Sequence, residues 1–469
     1  MLTRRDLLRG SVSCWALSSL AAVPSRANSL PEGEIDRLVG RYMALTGTPG
    51  LSLGILKEGK IIYAKGYGLA DVENGVPSTP DTVYQIASVT KVFTAALVLK
   101  LVEQGKIGLD VPTQVYLPEL PSIWSGVTVR RLLNHTAGLQ DYVQLPAVRA
   151  LRLETDPYEE LKKLVRTIKQ ESSPGEKYAY ESSSYFVLGE IIERIAGKPF
   201  AQVLRDEILN PLGMTASRMN RPSDIILHRA KGYDPNPGRG PRNAIDLSSL
   251  GSAAGGMVSS VSDLAKWDAA LYGDTVLKQA TWKEAWTSDY LNDQSAVPYG
   301  FGWRLGTLNG FQTVAHSGDI PGFTSQLLRI PSEKLTVIVL CNAMPGGATQ
   351  LARHIAPLAD LILRSKTLTD NDSRALPSHK ALLQALLDGG VSSALFSPAG
   401  QHKLFPDLIA RIIRRVGGMG AIQSFELTSL VRQGGSQART YAATVGIEDL
   451  EIVVQTTGSL IDDLSVRVL

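Results

Sequence analysis

The sequence predicts an α+β fold: an antiparallel sheet flanked by helices, a mostly helical subdomain, and a small C-terminal α+β domain. Three observations carry this expectation. Strand-like alternation occurs near residue 50 and returns after residue 300, so distant segments complete one sheet around a helical middle. The stretch 365–379, SKTLTDNDSRALPSH, is polar and turn-rich and reads as a linker. The length, 469 residues, suits two or three units of ~100–200 residues each.

Taken in order, Glu34 to Leu45 reads as a helix, and Leu51–Leu56 and Ile61–Ala64 alternate around a Lys57-Glu58-Gly59-Lys60 turn as a hairpin. Helical periodicity is clear at Val92–Val102, Leu161–Ile168, Phe186–Ile195 and Leu264–Leu271. Strand patterns follow at Gly300–Leu305, Thr313–His316, Phe323–Ile330 and Thr336–Cys341, closed by a helix over Thr349–Leu363. Beyond the linker, Lys380–Val416 reads as helical and Ala421–Leu469 as a strand meander, without internal repeats or a catalytic constellation.

Composition excludes several classes. With 48 Lys plus Arg against 45 Asp plus Glu, the formal charge of +3 lacks the clustered basic excess that nucleic acid requires, so no nucleic-acid partner is expected. Only Cys14 and Cys341 are present, which rules out a disulfide framework, and no CxxC pair exists for zinc. The six His show no HExxH-type spacing and no P-loop is present, so neither a metal nor a cofactor is expected.

The first 27 residues, MLTRRDLLRGSVSCWALSSLAAVPSRA, read as a secretory signal cleaved after Ala27. The apolar stretch Val12–Val23 is shorter than the ~20 residues that span a bilayer, so no stable membrane anchor is expected. Thr3-Arg4-Arg5-Asp6-Leu7-Leu8 resembles the twin-arginine signature, which points to a periplasmic or secreted protein. Arg4, Arg5, Arg9 and Arg26 against Asp6 account for the whole formal charge, so the exported chain would be neutral and Cys341 would lose its one intramolecular partner.

Two serine motifs compete for a nucleophile. Gly50-Leu51-Ser52-Leu53-Gly54 fits GxSxG, but that elbow needs a strand, a sharp turn and then a helix, and here Ser52 runs within a strand into a hairpin. Ser88-Val89-Thr90-Lys91 instead opens an apolar-periodic helix. Positions i and i+3 share a helix face, so the Lys91 amine can lie beside the Ser88 hydroxyl and take its proton. Backbone N–H groups at a helix start can also hold a developing oxyanion.

Two further motifs stand in order: Tyr180-Glu181-Ser182, before the helix Phe186–Ile195, and Ala315-His316-Ser317-Gly318-Asp319, before a strand. At these residues the chain resembles the serine beta-lactamase and penicillin-binding protein superfamily, in particular its branch of D-alanyl-D-alanine carboxypeptidases, D-aminopeptidases and beta-lactamase-fold esterases. Lys65–Asp71, Leu132–Leu139, Ala254–Met257 and Tyr299–Trp303 agree, and the resemblance covers about Glu32 to Leu363. It implies a beta-lactamase/transpeptidase-like fold, Ser88 as acylated nucleophile, Lys91 and Tyr180 sharing the proton, and an oxyanion hole from the backbone N–H of Ser88 and Asp319. Ser182, His316, Ser317 and Gly318 would contact substrate.

The departures concern substrate. Ser182 stands where the family commonly has Asn, which offers more hydrogen bonds at longer reach. His316 replaces the Lys of true beta-lactamases and is mostly neutral at neutral pH. Gly138 is expected to end a helix, Trp303 to be wall or core, and His135 is read as structural. The expected organisation is a signal over 1–27, a hydrolase domain over 28–364, a linker over 365–379 and a small α+β domain over 380–469. The expected activity is hydrolysis of a small ester, amide or D-amino-acid peptide through an acyl-enzyme. Beta-lactamase activity is an alternative, as is a non-turnover penicillin- or peptide-binding or sensing module. Oligomeric state is not legible from the sequence.

Overall fold

A computed structural model describes residues 30–151, 157–221, 223–235, 240–244, 252–360, 363, 370, 372–433, 435–446 and 448–468. The expected export signal, Cys14 included, and part of the expected linker lie outside the described residues.

Strands β1 (Gly50–Lys57), β2 (Lys60–Asp71) and β3 (Val76–Pro77) precede the helical part. Within it are the short strands β4 (Tyr84–Gln85), β5 (Arg218–Met219), β6 (Tyr233–Asp234), β7 (Arg242–Asn243) and β8 (Met257–Ser259). After it come β9 (Arg304–Leu308), β10 (Phe311–Ile320), β11 (Phe323–Ile330) and β12 (Leu335–Cys341). A seven-stranded antiparallel sheet runs in the order β3-β2-β1-β12-β11-β10-β9, so the first hairpin pairs with the last strand, Leu51 opposite Cys341. β1 and β12 are buried almost throughout because helices cover both sheet faces. On one face, Leu51, Leu53, Val337 and Val339 pack with Ile35 and Val39 of the helix Glu32–Thr46 and Leu351 and Ile355 of the helix Ala348–Ala359. On the other, Ile338 and Leu340 join the core of the helical subdomain, with Phe93 and Leu264.

Several elements shift from their sequence reading. The strand expected at Gly300 begins at Arg304, because Gly302 takes φ +83° in a turn seated on the helix Thr90–Glu103. A Cβ on Gly302 would lie 2.6 Å from the Ala95 methyl, so the close approach needs glycine. Gly138 does not end a helix. The helix Val129–Leu133 closes earlier, with Thr136 N–H donating to the Arg131 carbonyl (2.9 Å) and His135 left-handed at φ +59°. The helix expected over Leu161–Ile168 spans Tyr158–Val165. The helix Ala375–Leu387 starts inside the expected linker, since Pro377 is tolerated in a first turn and Ala375 and His379 are buried.

The C-terminal unit has helices Ala375–Leu387, Pro398–Leu404 and Asp407–Val416 packed on a four-stranded meander, β13 (Ile422–Gln433), β14 (Ser436–Val445), β15 (Glu448–Thr457) and β16 (Leu460–Val468). Its core joins Leu383, Leu386 and Ile412 to Tyr441, Leu450, Ile452 and Val454. The unit covers the outer edge of the large sheet: Thr307 Oγ1 on β9 donates to the Leu430 carbonyl on β13 (3.2 Å). Among the described residues no helix is long and apolar enough to cross a membrane, and no group of three or more His, Cys, Asp or Glu could hold a metal.

Candidate active site

Ser88 lies in a single 3-10 turn, Ala87–Val89, that leads into the helix Thr90–Glu103. The turn is held from several sides. Ile86 N–H donates to the Met257 carbonyl (3.0 Å), Thr90 Oγ1 donates to the Ala87 carbonyl (2.7 Å), and Ser325 Oγ donates to the Ile86 carbonyl (2.7 Å). Ala87 sits at φ +46°, a left-handed conformation that costs a non-glycine residue and persists only where the surroundings enforce it. Gly318 on β10 presses against this turn: a Cβ there would fall 2.2 Å from the Ile86 carbonyl oxygen. Only glycine lets the strand approach so closely, which brings the third motif beside the nucleophile candidate.

One helical turn on, Lys91 is fully buried, with Nζ 3.2 Å from Ser88 Oγ and donating to the Ala254 carbonyl (2.7 Å). The same amine lies 5.0 Å from the centroid of the Tyr180 ring and 5.5 Å from that of Tyr185. The structure therefore brings Ser88, Lys91 and Tyr180 together. Ser182, half-buried, begins the helix Ser183–Ala196 yet makes no capping bond, and its N–H donates to Asp141 Oδ1 (3.2 Å).

Along β10, strand alternation buries His316 and Gly318 and leaves Ser317 half-buried and Asp319 exposed. His316 does not face an opening. Its Nδ1 lies 2.7 Å from the Ser317 carbonyl, which can only accept, so Nδ1 carries the proton and Nε2 accepts from the Tyr299 hydroxyl (2.7 Å). Burial, with Lys91 and Arg304 adding repulsion, holds its pKa well below the usual histidine value. His316 is thus a neutral, fully engaged ring.

Sequence reasoning passed over four neighbours. Arg304, the first residue of β9, places its guanidinium carbon 4.5 Å from the Tyr180 ring centroid and, beside Lys91, is the second cation at the site. Tyr299 bonds His316. The His135 ring lies tilted at 47° with its centroid 4.4 Å from that of Tyr180, and Glu181, buried beside it, has its pKa pushed up to about 7 by burial. His135 and Tyr299 lay in stretches that the resemblance already singled out, whereas Arg304 lies one residue beyond such a stretch and carries no local signal. The rejected Ser52 is in β1 opposite Leu340, buried, with Oγ donating to the Thr79 carbonyl (2.7 Å). Trp303 is fully buried against Trp286.

The family model described as Beta-lactamase matches residues 35–360. Curated relatives include Protein flp of Staphylococcus aureus (strain MW2), 26% identical over 69% of this chain and 65% of that one. Penicillin-binding protein 4* of Bacillus subtilis is 29% identical over 72% of this chain and 77% of its own, and the D-aminopeptidase of Gluconobacter oxydans 26% over 66% and 58%. The chain thus spans about two thirds of the length of these relatives. Among solved structures, the D-amino acid amidase of Ochrobactrum anthropi SV3 aligns with TM-score 0.60 and 26% identity over 69% of this chain and 98% of that one. The octameric penicillin-binding protein homologue of Pyrococcus abyssi aligns with TM-score 0.65 and 24% identity over 94% of this chain and 96% of that one, a likeness of fold that includes the C-terminal unit. The chain, with its Ser88–Lys91 pair at the head of a buried helix, belongs to the Beta-lactamase family of serine hydrolases.

Proposed function

We propose that this protein hydrolyses an amide or peptide bond of a D-amino-acid substrate through an acyl-enzyme on Ser88. The observation that carries the reading is the 3.2 Å contact between Lys91 Nζ and Ser88 Oγ, with the Tyr180 ring against the same amine. Ser88 Oγ attacks the carbonyl and loses its proton to the Lys91–Tyr180 pair. The developing oxyanion is held by the backbone N–H groups of Ser88 and Asp319. The leaving amine takes the proton back, and water activated by the same groups releases the acid.

Relatives named as a D-aminopeptidase and a D-amino acid amidase support the substrate class. Arg304 supplies the positive charge that a neutral His316 does not, which suits a free carboxylate on a D-peptide substrate. Ser182 in place of a carboxamide favours a small ester as the second reading. Cationic and apolar features of residues 1–27 support action outside the cytoplasm. A panel of D- and L-amino-acid amides, D-peptides with free and blocked carboxyl ends, nitrophenyl esters and a chromogenic cephalosporin tests the assignment. Preferred turnover of the D-amides or D-peptides is expected. Turnover of esters alone would move the reading to an esterase, and turnover of none would leave a binding module.

A further inference from the structure

Tyr180 rests on a buried pair that the proposed chemistry does not use. The helix Val129–Leu133 ends in a closure where Thr136 N–H reaches the Arg131 carbonyl (2.9 Å) and His135 N–H points to the Leu132 carbonyl (3.4 Å). That pattern puts His135 in the left-handed position that glycine usually fills. Held there, its ring centroid lies 4.4 Å from that of Tyr180 and 4.6 Å from that of Tyr299. Its carbonyl accepts the Ala179 N–H (3.0 Å), which ties down the chain just before Tyr180. The ring is fully buried, and Nε2 has no hydrogen-bond partner among the described residues.

Glu181 follows Tyr180 directly. Its carboxylate accepts from Ser184 N–H (2.7 Å) and from the Ser184 hydroxyl, closing the first turn of the helix Ser183–Ala196, and Oε1 stands 3.6 Å from His135 Nδ1. Ser182, the residue placed to cap that helix, makes no capping bond, so Glu181 performs the capping and leaves the Ser182 hydroxyl out of it.

We infer that Glu181 and His135 are positioning residues for Tyr180: the carboxyl fastens the helix start that follows the phenol, and the imidazole forms the shelf against which the phenol ring lies. The inference rests on the reading of Tyr180 as a proton-handling group. Lys91, Asp141 and His135 face the Glu181 carboxyl, with the neutral phenols of Tyr142 and Tyr185 beside it, and Lys91 and Arg304 act on the imidazole. With burial pushing the Glu181 pKa up to about 7, the charge behind Tyr180 changes within the usual assay range.

The test uses the full chain with Glu181→Gln, His135→Asn and Tyr180→Phe, read by kcat and KM for a nitrophenyl ester from pH 5 to pH 9. Asn tolerates the left-handed conformation, so His135→Asn removes the shelf and keeps the backbone turn. Each positioning variant is expected to lower kcat about 10-fold with KM within about twofold, and Glu181→Gln to remove an inflection near neutral pH. In the Tyr180→Phe background neither should lower kcat further, because their effect passes through the phenol. Unchanged kcat and inflection in both variants, or full additivity with Tyr180→Phe, would overturn the inference. A fully active Tyr180→Phe would instead overturn the reading on which it rests.

Discussion

The two units of this chain treat buried polar groups in opposite ways. In the C-terminal unit they are closed off: buried Arg439 grips Asp370 with Nε–Oδ2 2.5 Å and Nη2–Oδ1 3.1 Å, and His379 Nδ1 meets the Tyr441 hydroxyl at 2.8 Å. Around Tyr180, three polar atoms are buried without a hydrogen-bond partner, His135 Nε2, Arg304 Nε and the Tyr178 hydroxyl, next to a fully buried lysine. No such atom occurs in the C-terminal unit among the described residues. Such atoms also occur elsewhere in the larger unit, at Trp124 and Asn220 for example, but around Tyr180 they stand beside a buried lysine and a candidate nucleophile, where unpaired polarity is costly and can serve chemistry.

Substitutions in either unit test this contrast. Lys91→Met should lower kcat/KM for an amide by about 10³-fold, since it removes the proton carrier beside Ser88, with esters losing less because their leaving group needs less protonation. Arg304→Gln should raise KM about 10-fold for substrates with a free carboxylate and leave neutral esters within about twofold, as steady-state kinetics on matched pairs would show.

A third change is in stability. The Glu181 pKa is raised from its ordinary 4.5 to about 7, so the folded state holds this proton more tightly than the unfolded chain does. The stabilisation is present below pH 4.5 and is lost as pH rises through 7. Thermal midpoints of the parent chain should therefore fall relative to Glu181→Gln between those pH values. The smallest effect on activity is expected from Arg439→Leu. Removing one partner of a buried pair should destabilise the C-terminal unit by about 3–5 kcal/mol, seen by hydrogen exchange, while ester hydrolysis stays within about twofold.

Much of this was legible in the residues because local signals were strong. Alternation marked β1, β2 and β10 to β12, and the Ser88–Lys91 spacing placed both groups on one helix face, where the structure has them. The failures share a cause: tertiary contact decided them. Gly300 to Gly302 alternates acceptably as strand but must turn against Ala95. Gly138 was the natural helix terminator by propensity, yet His135 takes the left-handed place five residues after Arg130. The bond from Tyr299, 17 residues away, to His316 Nε2 likewise had no local pattern to announce it. Arg304 had no local pattern, because its role near Tyr180 depends on β9 pairing with β10, Arg304 opposite Ala315.

Acyl transfer in this protein depends on Ser88, and active-site labelling tests that role most directly. Full-length protein treated with a fluorophosphonate, digested and analysed by mass spectrometry should carry one adduct, on the peptide containing Ser88. The Ser88→Ala variant should take no label and lose nitrophenyl ester hydrolysis by at least ~10³-fold. Label on another serine, Ser52 included, or a Ser88→Ala variant that hydrolyses the ester at the parent rate, would contradict it.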